Sequence, residues 1–280
     1  MILVTGATGA VGRETIARLI HLGHEPAALT RNADAVFPAG TTVVRGDASQ
    51  PHTYADALDG VEAILISPRA VNQGLGDLLK EAKTRGVQRA VLLSAITVEY
   101  GGGYARFAAA FKAAEEAVAD SGLDHTFLRC AQFDGNAMVW ARQIQNRGEV
   151  RCALGDARTS PLHERDIAAV AAAALSDPAH VGRSYALTGP ESISQREQVA
   201  VIAKALGRDV PWTEVTPEEA AAAMTAHGVP AEIPQRMYGY LAACVEQPGP
   251  TTGVLAGLLD REPLTFADWA ADHVSAFREV

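Results

Sequence analysis

Short aliphatic runs alternate with longer amphipathic stretches over the first 130 residues of the chain. Between the first two runs, Ile16, Leu19 and Ile20 fall on one face of a helix, and a glycine stop follows. Strand–helix alternation of this length predicts an α/β fold with a doubly wound parallel sheet, covered by helices on both faces. The runs that predict strands are ILVTG, PAALTR, TTVVRGD, EAILIS, AVLLSA and HTFLRC.

The rhythm changes after about residue 133, where helical periodicity dominates and proline and glycine mark the turns. The pattern therefore predicts a sheet-containing domain over 1–133 and a smaller, mostly helical part over 134–280. Segments near 151–190 are compatible with a return to the first domain. Helices are predicted over 136–147, 166–176, 194–206, 217–227 and 266–277.

Composition narrows the class of protein. Hydrophobic residues make up 48% of the 280 residues and are spread along the chain, which predicts a globular protein with a sizeable core. The start MILVTGATG is unlike a signal peptide, and the chain has no run of 18 apolar residues, so no membrane association is expected. A net charge of −9 argues against nonspecific nucleic-acid binding.

The three cysteines, Cys130, Cys152 and Cys244, are odd in number and widely spaced. This spacing predicts neither a disulfide framework nor a metal cluster, so we expect no metal and a reducing, cytoplasmic setting. We expect a small-molecule substrate and a monomer or homodimer.

The first chemical motif is VTGATGAVGR, in which glycines at positions 6, 9 and 12 separate a predicted strand from a predicted helix. Glycines allow the backbone to approach a pyrophosphate, and the helix N-terminus offers N–H groups and a positive dipole end. The motif predicts dinucleotide binding, and the alternative is an ordinary glycine-rich turn. The candidate cofactor contacts are Thr5, Gly6, Thr8, Gly9, Ala10, Val11 and Gly12.

The end of the second predicted strand indicates which dinucleotide is bound. Sites that prefer NAD usually carry an acidic residue about 20 positions after the last glycine, where it holds the ribose hydroxyls. Here Arg31 occupies that place, with Asn32 beside it as a further hydrogen-bonding candidate. A guanidinium suits a 2′-phosphate, so the sequence favours NADP (NADPH); the alternative is a solvated surface arginine.

Three more strand ends supply candidate residues. Asp47, followed by Ala48, ends the third strand and is placed to accept a hydrogen bond from the adenine amine, although aspartate after glycine is also ordinary turn chemistry. Ser67 and Pro68 close the fourth strand and Ser94 closes the fifth. Because ligands bind beyond the carboxyl ends of such strands, we expect Ser67, Pro68 and Ser94 to border the nicotinamide half of the cofactor.

Together these segments resemble the NmrA-like, atypical branch of the short-chain dehydrogenase/reductase superfamily. The resemblance continues through SGLDHTFLRCAQFDGN, HERDIAAVAAAAL, YALTGPESIS and ALGRDVPW. Relatives in this branch include bacterial quinone- and azo-dye-type reductases and isoflavone-reductase-like enzymes. The resemblance implies an NADP-binding Rossmann-type domain with a small substrate-binding part, and the branch contains both active reductases and redox sensors. Cys130 stands where the branch usually has a proline.

Many reductases of the wider superfamily use a tyrosine and a lysine four positions apart for proton transfer. Here Tyr104 and Lys112 are eight apart, which is about 12 Å along a helix axis, so they cannot act as a close pair. Their alternative interpretations are a packing tyrosine and a solvated lysine, although isoflavone-reductase-like enzymes carry a lysine near this point. The candidate catalytic residues are Lys112, Tyr104 and Ser94.

The missing pair favours a particular substrate class. Reduction of an isolated ketone develops an alkoxide that needs a positioned acid, whereas reduction of a conjugated acceptor develops a delocalised anion that water can protonate. We therefore expect an NADPH-dependent reductase of a conjugated, aromatic or quinone-like molecule. The alternatives are a non-catalytic NADP sensor and an isomerase or epimerase with bound nicotinamide cofactor.

Overall fold

The computed structural model describes residues 1–101 and 105–278, and the chain divides into two units. The first unit contains Met1–Val98, Ala109–Cys130 and Glu164–Ala186, and the second contains 99–101, 105–108, 131–163 and 187–278. The first holds the predicted Rossmann-type sheet, which confirms the fold class, and the C-terminal part is mostly helical as expected. None of the described helices is both long and apolar enough to cross a bilayer.

The elements follow the predicted alternation in the first unit. The strands are β1 (Ile2–Val4), β2 (Pro26–Thr30), β3 (Thr42–Arg45), β4 (Ala63–Ile66), β5 (Arg89–Ala95), β6 (Asp124–Cys130), β7 (Val150–Cys152), β8 (Arg158–Thr159), β9 (Arg183–Leu187), β10 (Ile193–Ser194) and β11 (Trp212–Glu214). The α-helices are α1 (Ala10–His21), α2 (Pro68–Val71), α3 (Leu75–Thr84), α4 (Thr97–Tyr100), α5 (Ala105–Asp120), α6 (Ala141–Arg147), α7 (Glu164–Ser176), α8 (Gln195–Leu206), α9 (Pro217–Ala226), α10 (Glu232–Glu246), α11 (Val254–Leu258) and α12 (Phe266–His273).

The seven-stranded sheet has the order β3-β2-β1-β4-β5-β6-β9. Its first six strands pair in parallel, and Val4 of β1 lies in register with Ala28 of β2 on one side and Leu65 of β4 on the other. The strand order therefore reverses between β1 and β4. In doubly wound sheets this reversal opens a crevice at the carboxyl ends of the strands, where ligands bind.

Alternation along the strands distributes apolar side chains to both faces of the sheet. On one face, Leu3, Ile64 and Leu92 are buried in a single cluster with Leu78 of α3 and Val118 of α5. On the other face α1 packs against α7, and α7 also contacts β4, β5 and β6. The burial on both faces explains why these strands read as nearly continuous apolar runs.

The second unit has its own core and two short ladders. Strands β7 and β11 pair in parallel, and β8 and β10 pair antiparallel. The core is built around aromatic side chains, with Trp269, Phe266 and Phe277 almost completely buried. Capping boxes fix the starts of α8, α9 and α12, since Ser194, Thr216 and Thr265 each accept a hydrogen bond from the backbone three residues on.

Several helical segments of the second unit differ from the sequence prediction. The helix α11 was not predicted, and the predicted helix over 266–277 is α-helical to His273 and continues as a 3₁₀-helix, Val274–Phe277. The predicted helix over 136–147 begins as a 3₁₀-helix, Asp134–Trp140, and becomes α-helical only at Ala141. The helix α10 was not predicted, and Pro234 lies in its first turn. A proline is tolerated in the first turn of a helix, where its missing N–H would have no intrahelical acceptor.

Candidate cofactor site

A cleft of about 330 Å³ lies at the carboxyl ends of β1, β2 and β3 in the first unit. This volume is within the range of about 300–1,000 Å³ that is typical of ligand sites. The structure brings six of the sequence-predicted cofactor residues together along its wall: Gly6, Thr8, Arg31, Asn32, Asp47 and Ala48. The cleft is therefore placed at the crevice of the sheet, beside the glycine-rich turn.

Four lining residues were not among the sequence candidates: Leu29, Thr30, Gly46 and Ala70. Thr30 and Gly46 directly precede Arg31 and Asp47, and the Gly46 N–H donates to the Thr30 carbonyl at 3.1 Å. Their position at strand ends was the available signal. Ala70 lies in the short helix α2, whose start at Pro68 carried the only indication that this segment approaches the site.

The glycine-rich turn is required first by the fold itself. Gly6 has a φ of +64°, and a Cβ there would lie 2.9 Å from the Cβ of Ser67. A Cβ on Gly12 would lie 2.3 Å from the carbonyl oxygen of Gly6, well inside contact distance. The helix α1 therefore begins in direct backbone contact with the turn, and Val11 and Gly12 face this packing and are buried.

Gly9 and Ala10 occupy the exposed side of the same turn. Gly9 is the N-cap of α1, and the first turn of this helix carries no acidic side chain. The N–H groups of the first helical turn have no intrahelical acceptor and add to the positive end of the helix dipole. This exposed N-terminus, next to the cleft, fits a pyrophosphate.

Thr5 ties two strands together at the bottom of the turn. Its hydroxyl donates to the carbonyl of Leu65 at 2.8 Å and accepts from the N–H of Ser67 at 2.8 Å. Thr5 is 1% exposed, so both bonds are shielded from water. The structure gives Thr5 and Ser67 a role in fixing the sheet at its reversal point, and Pro68 begins α2 there.

The loop after β2 carries the predicted 2′-phosphate ligand. Arg31 follows Thr30 directly, and its side chain is 78% exposed. Arg13 of α1 anchors the loop, since its guanidinium donates to the carbonyls of Thr8 at 3.1 Å and Val36 at 3.0 Å. The sequence analysis did not identify Arg13, which joins the glycine-rich turn to the loop that bears Arg31.

Asp47 folds back on its own turn and faces Arg31. Its Oδ1 accepts hydrogen bonds from the Ser49 N–H at 3.0 Å and the Ser49 hydroxyl at 2.8 Å. The hydrogen bonds from Ser49, and then the charge of Arg31, hold the pKa of the Asp47 carboxyl below its usual range. The carboxylate is therefore ionised at neutral pH.

A buried polar network occupies the ends of β5 and β6. The hydroxyl of Ser94 donates to Glu115 Oε1 at 2.6 Å, and Arg129 binds the same carboxylate with Nε at 3.0 Å and Nη2 at 2.7 Å. Ser94 and Glu115 are each 5% exposed. The hydroxyl hydrogen of Ser94 is therefore already used in the hydrogen bond to Glu115. Glu115 was missed in the sequence, although it lies one position past Ala114 and three before Val118, which both pack on the core of the first unit.

Of the two other catalytic candidates, only Lys112 lies within the described residues. Lys112 lies on α5 and is exposed, and so is Glu116, which follows it one turn later on the same helix. Tyr104 lies outside the described residues. The described part of the first unit therefore holds a cleft beside the glycine-rich turn and, at the ends of β5 and β6, a serine whose hydroxyl is already bonded.

The donor set of the cleft fits NADP. The α1 N-terminus suits the pyrophosphate, and the guanidinium of Arg31 suits a 2′-phosphate. The apolar and backbone surfaces of Leu29, Gly46 and Ala48 provide a wall for a planar base.

Comparison with known proteins agrees with this geometry. Residues 6–178 match the NAD(P)H-binding family model. The chain is 36% identical to a (4-alkanoyl-5-oxo-2,5-dihydrofuran-3-yl)methyl phosphate reductase of Streptomyces griseus, with 99% of both chains covered. It is 32% identical to an NAD(P)H azoreductase of Xenophilus azovorans, again over 99% of both chains.

A solved structure shows the same fold with a cofactor present. The NADPH complex of an NADPH-dependent quinone oxidoreductase from Escherichia coli superposes with a TM-score of 0.81 at 25% identity. The match covers 97% of this chain and 99% of that one.

Substitutions at two glycines of the turn are expected to have different effects, one on cofactor binding and the other on the stability of the fold. Gly9 has φ −76° and ψ 166°, a conformation that valine adopts, and a Cβ there would reach only the Gly6 oxygen at 3.2 Å. We expect Gly9→Val to fold but to lose NADPH binding by calorimetry, because its side chain fills the phosphate approach. Gly12→Ala should lose about 1–3 kcal/mol of stability through overpacking.

Gly76→Ala is the matched control, because Gly76 lies in α3 and a Cβ there meets nothing within 4 Å. We expect it to be neutral or stabilising by up to about 1 kcal/mol in denaturant unfolding. Normal NADPH affinity in Gly9→Val would contradict the placement of the phosphates.

The Glu115 network predicts a large difference between neighbouring glutamates. Glu115→Ala removes the carboxylate from a mostly buried guanidinium, so we expect a loss of about 3 kcal/mol, at the low end for broken buried pairs because Arg129 is partly exposed. Glu116→Ala changes an exposed residue of the same helix and should shift stability by less than about 0.5 kcal/mol. Equal thermal midpoints for the two variants would show that the network adds nothing to stability.

Proposed function

The chain belongs to the NAD(P)H-binding family, and from this premise we propose that it is an NADPH-dependent reductase of a conjugated, aromatic or quinone-like small molecule. When bound, NADPH supplies the hydride. The protein's part is to hold the cofactor at the turn after β1 and to orient it against the acceptor, so that proximity supplies much of the rate.

The observation that carries the acceptor class is the bond between Ser94 and Glu115. A serine at the end of β5 is well placed to polarise a substrate carbonyl, but here its hydrogen points to a carboxylate 2.6 Å away. Arg129 holds the same carboxylate through two hydrogen bonds. An acceptor that needs no donor for its developing charge suits such a site better than an isolated ketone.

The names of the relatives support the same class. A 4-alkanoyl-5-oxo-2,5-dihydrofuran has its ring double bond conjugated with two carbonyl groups, and an azo compound and a quinone are also conjugated acceptors. Hydride addition to each of these gives a delocalised anion. A proton from water then completes the two-electron reduction, which needs no positioned acid.

An acceptor screen tests the proposal. NADPH oxidation, with the cofactor deuterated at the transferred position, would be measured against a naphthoquinone, an azo dye, a 2-acylbutenolide and cyclohexanone. We expect turnover with a primary isotope effect or deuterium transfer for at least one conjugated acceptor, and none above background for cyclohexanone. The Gly9→Val variant provides that background.

Variants of the three candidate catalytic residues test the proton chemistry. Ser94→Ala, Tyr104→Phe and Lys112→Ala should each lower kcat by less than about tenfold, against about 100-fold or more for loss of a general acid. A loss of several orders of magnitude with NADPH binding intact would show that the residue donates a proton to substrate. A parent protein that binds NADPH and reduces no acceptor would instead support the redox-sensor alternative.

A further inference from the structure

Two opposite charges meet at the 2′-phosphate end of the cleft. Strands β2 and β3 pair in parallel with Thr30 opposite Arg45, so the residues just beyond them are brought together. The Nη1 atom of Arg31 lies 3.7 Å from Oδ2 of Asp47. The residue expected to bind the phosphate therefore already has an anionic neighbour, sixteen positions away in the chain.

The two members of this pair differ in freedom. Asp47 is held by the two hydrogen bonds from Ser49 and is 22% exposed, whereas the Arg31 side chain is 78% exposed. Gln50 Nε2 also lies 3.4 Å from the Asp47 Oδ2 atom. The carboxylate is thus the more constrained partner, and the guanidinium is the one that is free to turn toward a ligand.

A 2′-phosphate and a 2′-hydroxyl meet this pair differently. The phosphate carries up to two negative charges, so it must draw Arg31 from Asp47 and approach a second anion. A ribose hydroxyl is neutral, and an acidic side chain at this end of the site is the group that accepts hydrogen bonds from the ribose in NAD-preferring sites.

We infer that Asp47 is a specificity-determining residue that competes with the cofactor phosphate for Arg31 and so limits the preference for NADPH over NADH. The inference rests on the proposed use of NADPH. It assigns Asp47 an effect on the ratio of the two affinities, whereas a contact with the adenine amine alone would change both affinities equally, since both cofactors contain the same adenine.

Asp47→Asn is the informative variant, because an amide oxygen still accepts from Ser49 and keeps the turn. Dissociation constants for NADPH, NADH, 2′,5′-ADP and 5′-AMP would be measured by calorimetry at low salt. We expect the NADPH-to-NADH affinity ratio, and the ratio of 2′,5′-ADP to 5′-AMP, to rise about threefold to tenfold. Both gains should shrink at 0.5 M salt, as a charge effect near the surface does.

Two further variants isolate the cause. Asp124→Asn makes the same charge change at an exposed residue that begins β6, four strands away from β2 in the sheet, and should leave both ratios unchanged. In an Arg31→Ala background, Asp47→Asn should raise the ratios clearly less than it does in the parent protein, because only the direct repulsion between the carboxylate and the phosphate is then relieved. This coupling is the result that a purely structural role of Asp47 would not produce.

The outcomes are distinct. Equal changes in all four affinities, an unchanged ratio in Asp47→Asn, or a full gain in the Arg31→Ala background would overturn the inference. If both affinity ratios rise as expected and the rise depends on Arg31, but the protein reduces no acceptor, the inference is supported and the proposed reductase function is not. Parent protein that binds NADPH no better than NADH, with Asp47→Asn also without preference, would overturn the role of both residues.

Discussion

The close backbone approach between α1 and the turn after β1 is the constraint on which the site depends. With hydrogen alone on Gly12, the helix starts against the carbonyl of Gly6, and its N-terminus is aimed at the carboxyl edge of the sheet. Thr5 then binds β1 to β4 at the reversal of strand order. The cleft, the helix dipole and the strand ends are thereby fixed by one tightly packed turn, before any ligand is considered.

Around this turn the polar residues of the sheet edge serve two different purposes. On the β2–β3 side they are exposed and adjustable, as with Arg31, and Arg13 only anchors the loop that carries it. On the β5–β6 side they are buried and mutually satisfied, as with Ser94 and Glu115. Among the described residues, the adjustable charge therefore lies on the β2–β3 side, and the Ser94 hydroxyl on the β5–β6 side is already hydrogen-bonded.

The sequence predicted the features that depend on local pattern. Apolar runs and the glycine spacing indicated the parallel sheet and the dinucleotide turn, because strand burial and close backbone approach leave a direct compositional signal. The meeting of Arg31 and Asp47 depends on the register of β2 and β3, which the local pattern of neither strand contains. Glu115 was overlooked because a charged residue on a helix is normally solvated, and only its partners on β5 and β6 explain its burial.

The helix α10 illustrates the same limit from another direction. The sequence pattern left this 15-residue helix out of the prediction, and the proline in its first turn is compatible with a helix only because its missing N–H would have no intrahelical acceptor there. For residues of the site, the sequence pattern likewise does not show which side chains far apart in the chain meet in the fold. The cofactor contacts remain predictions that the geometry of the cleft makes specific enough to measure.

The Ser94–Glu115–Arg129 network also has a consequence for how this protein could change over generations. A descendant in which Ser94 polarises a substrate carbonyl would first have to release the Ser94 hydroxyl from Glu115. Replacing Glu115 alone would leave the mostly buried guanidinium of Arg129 without this carboxylate. Replacing Arg129 alone strands the carboxylate instead. Because each single replacement would leave a buried charge without its partner, we expect substitutions at Glu115 and Arg129 to be epistatic, with the double replacement costing less stability than the sum of the two single ones.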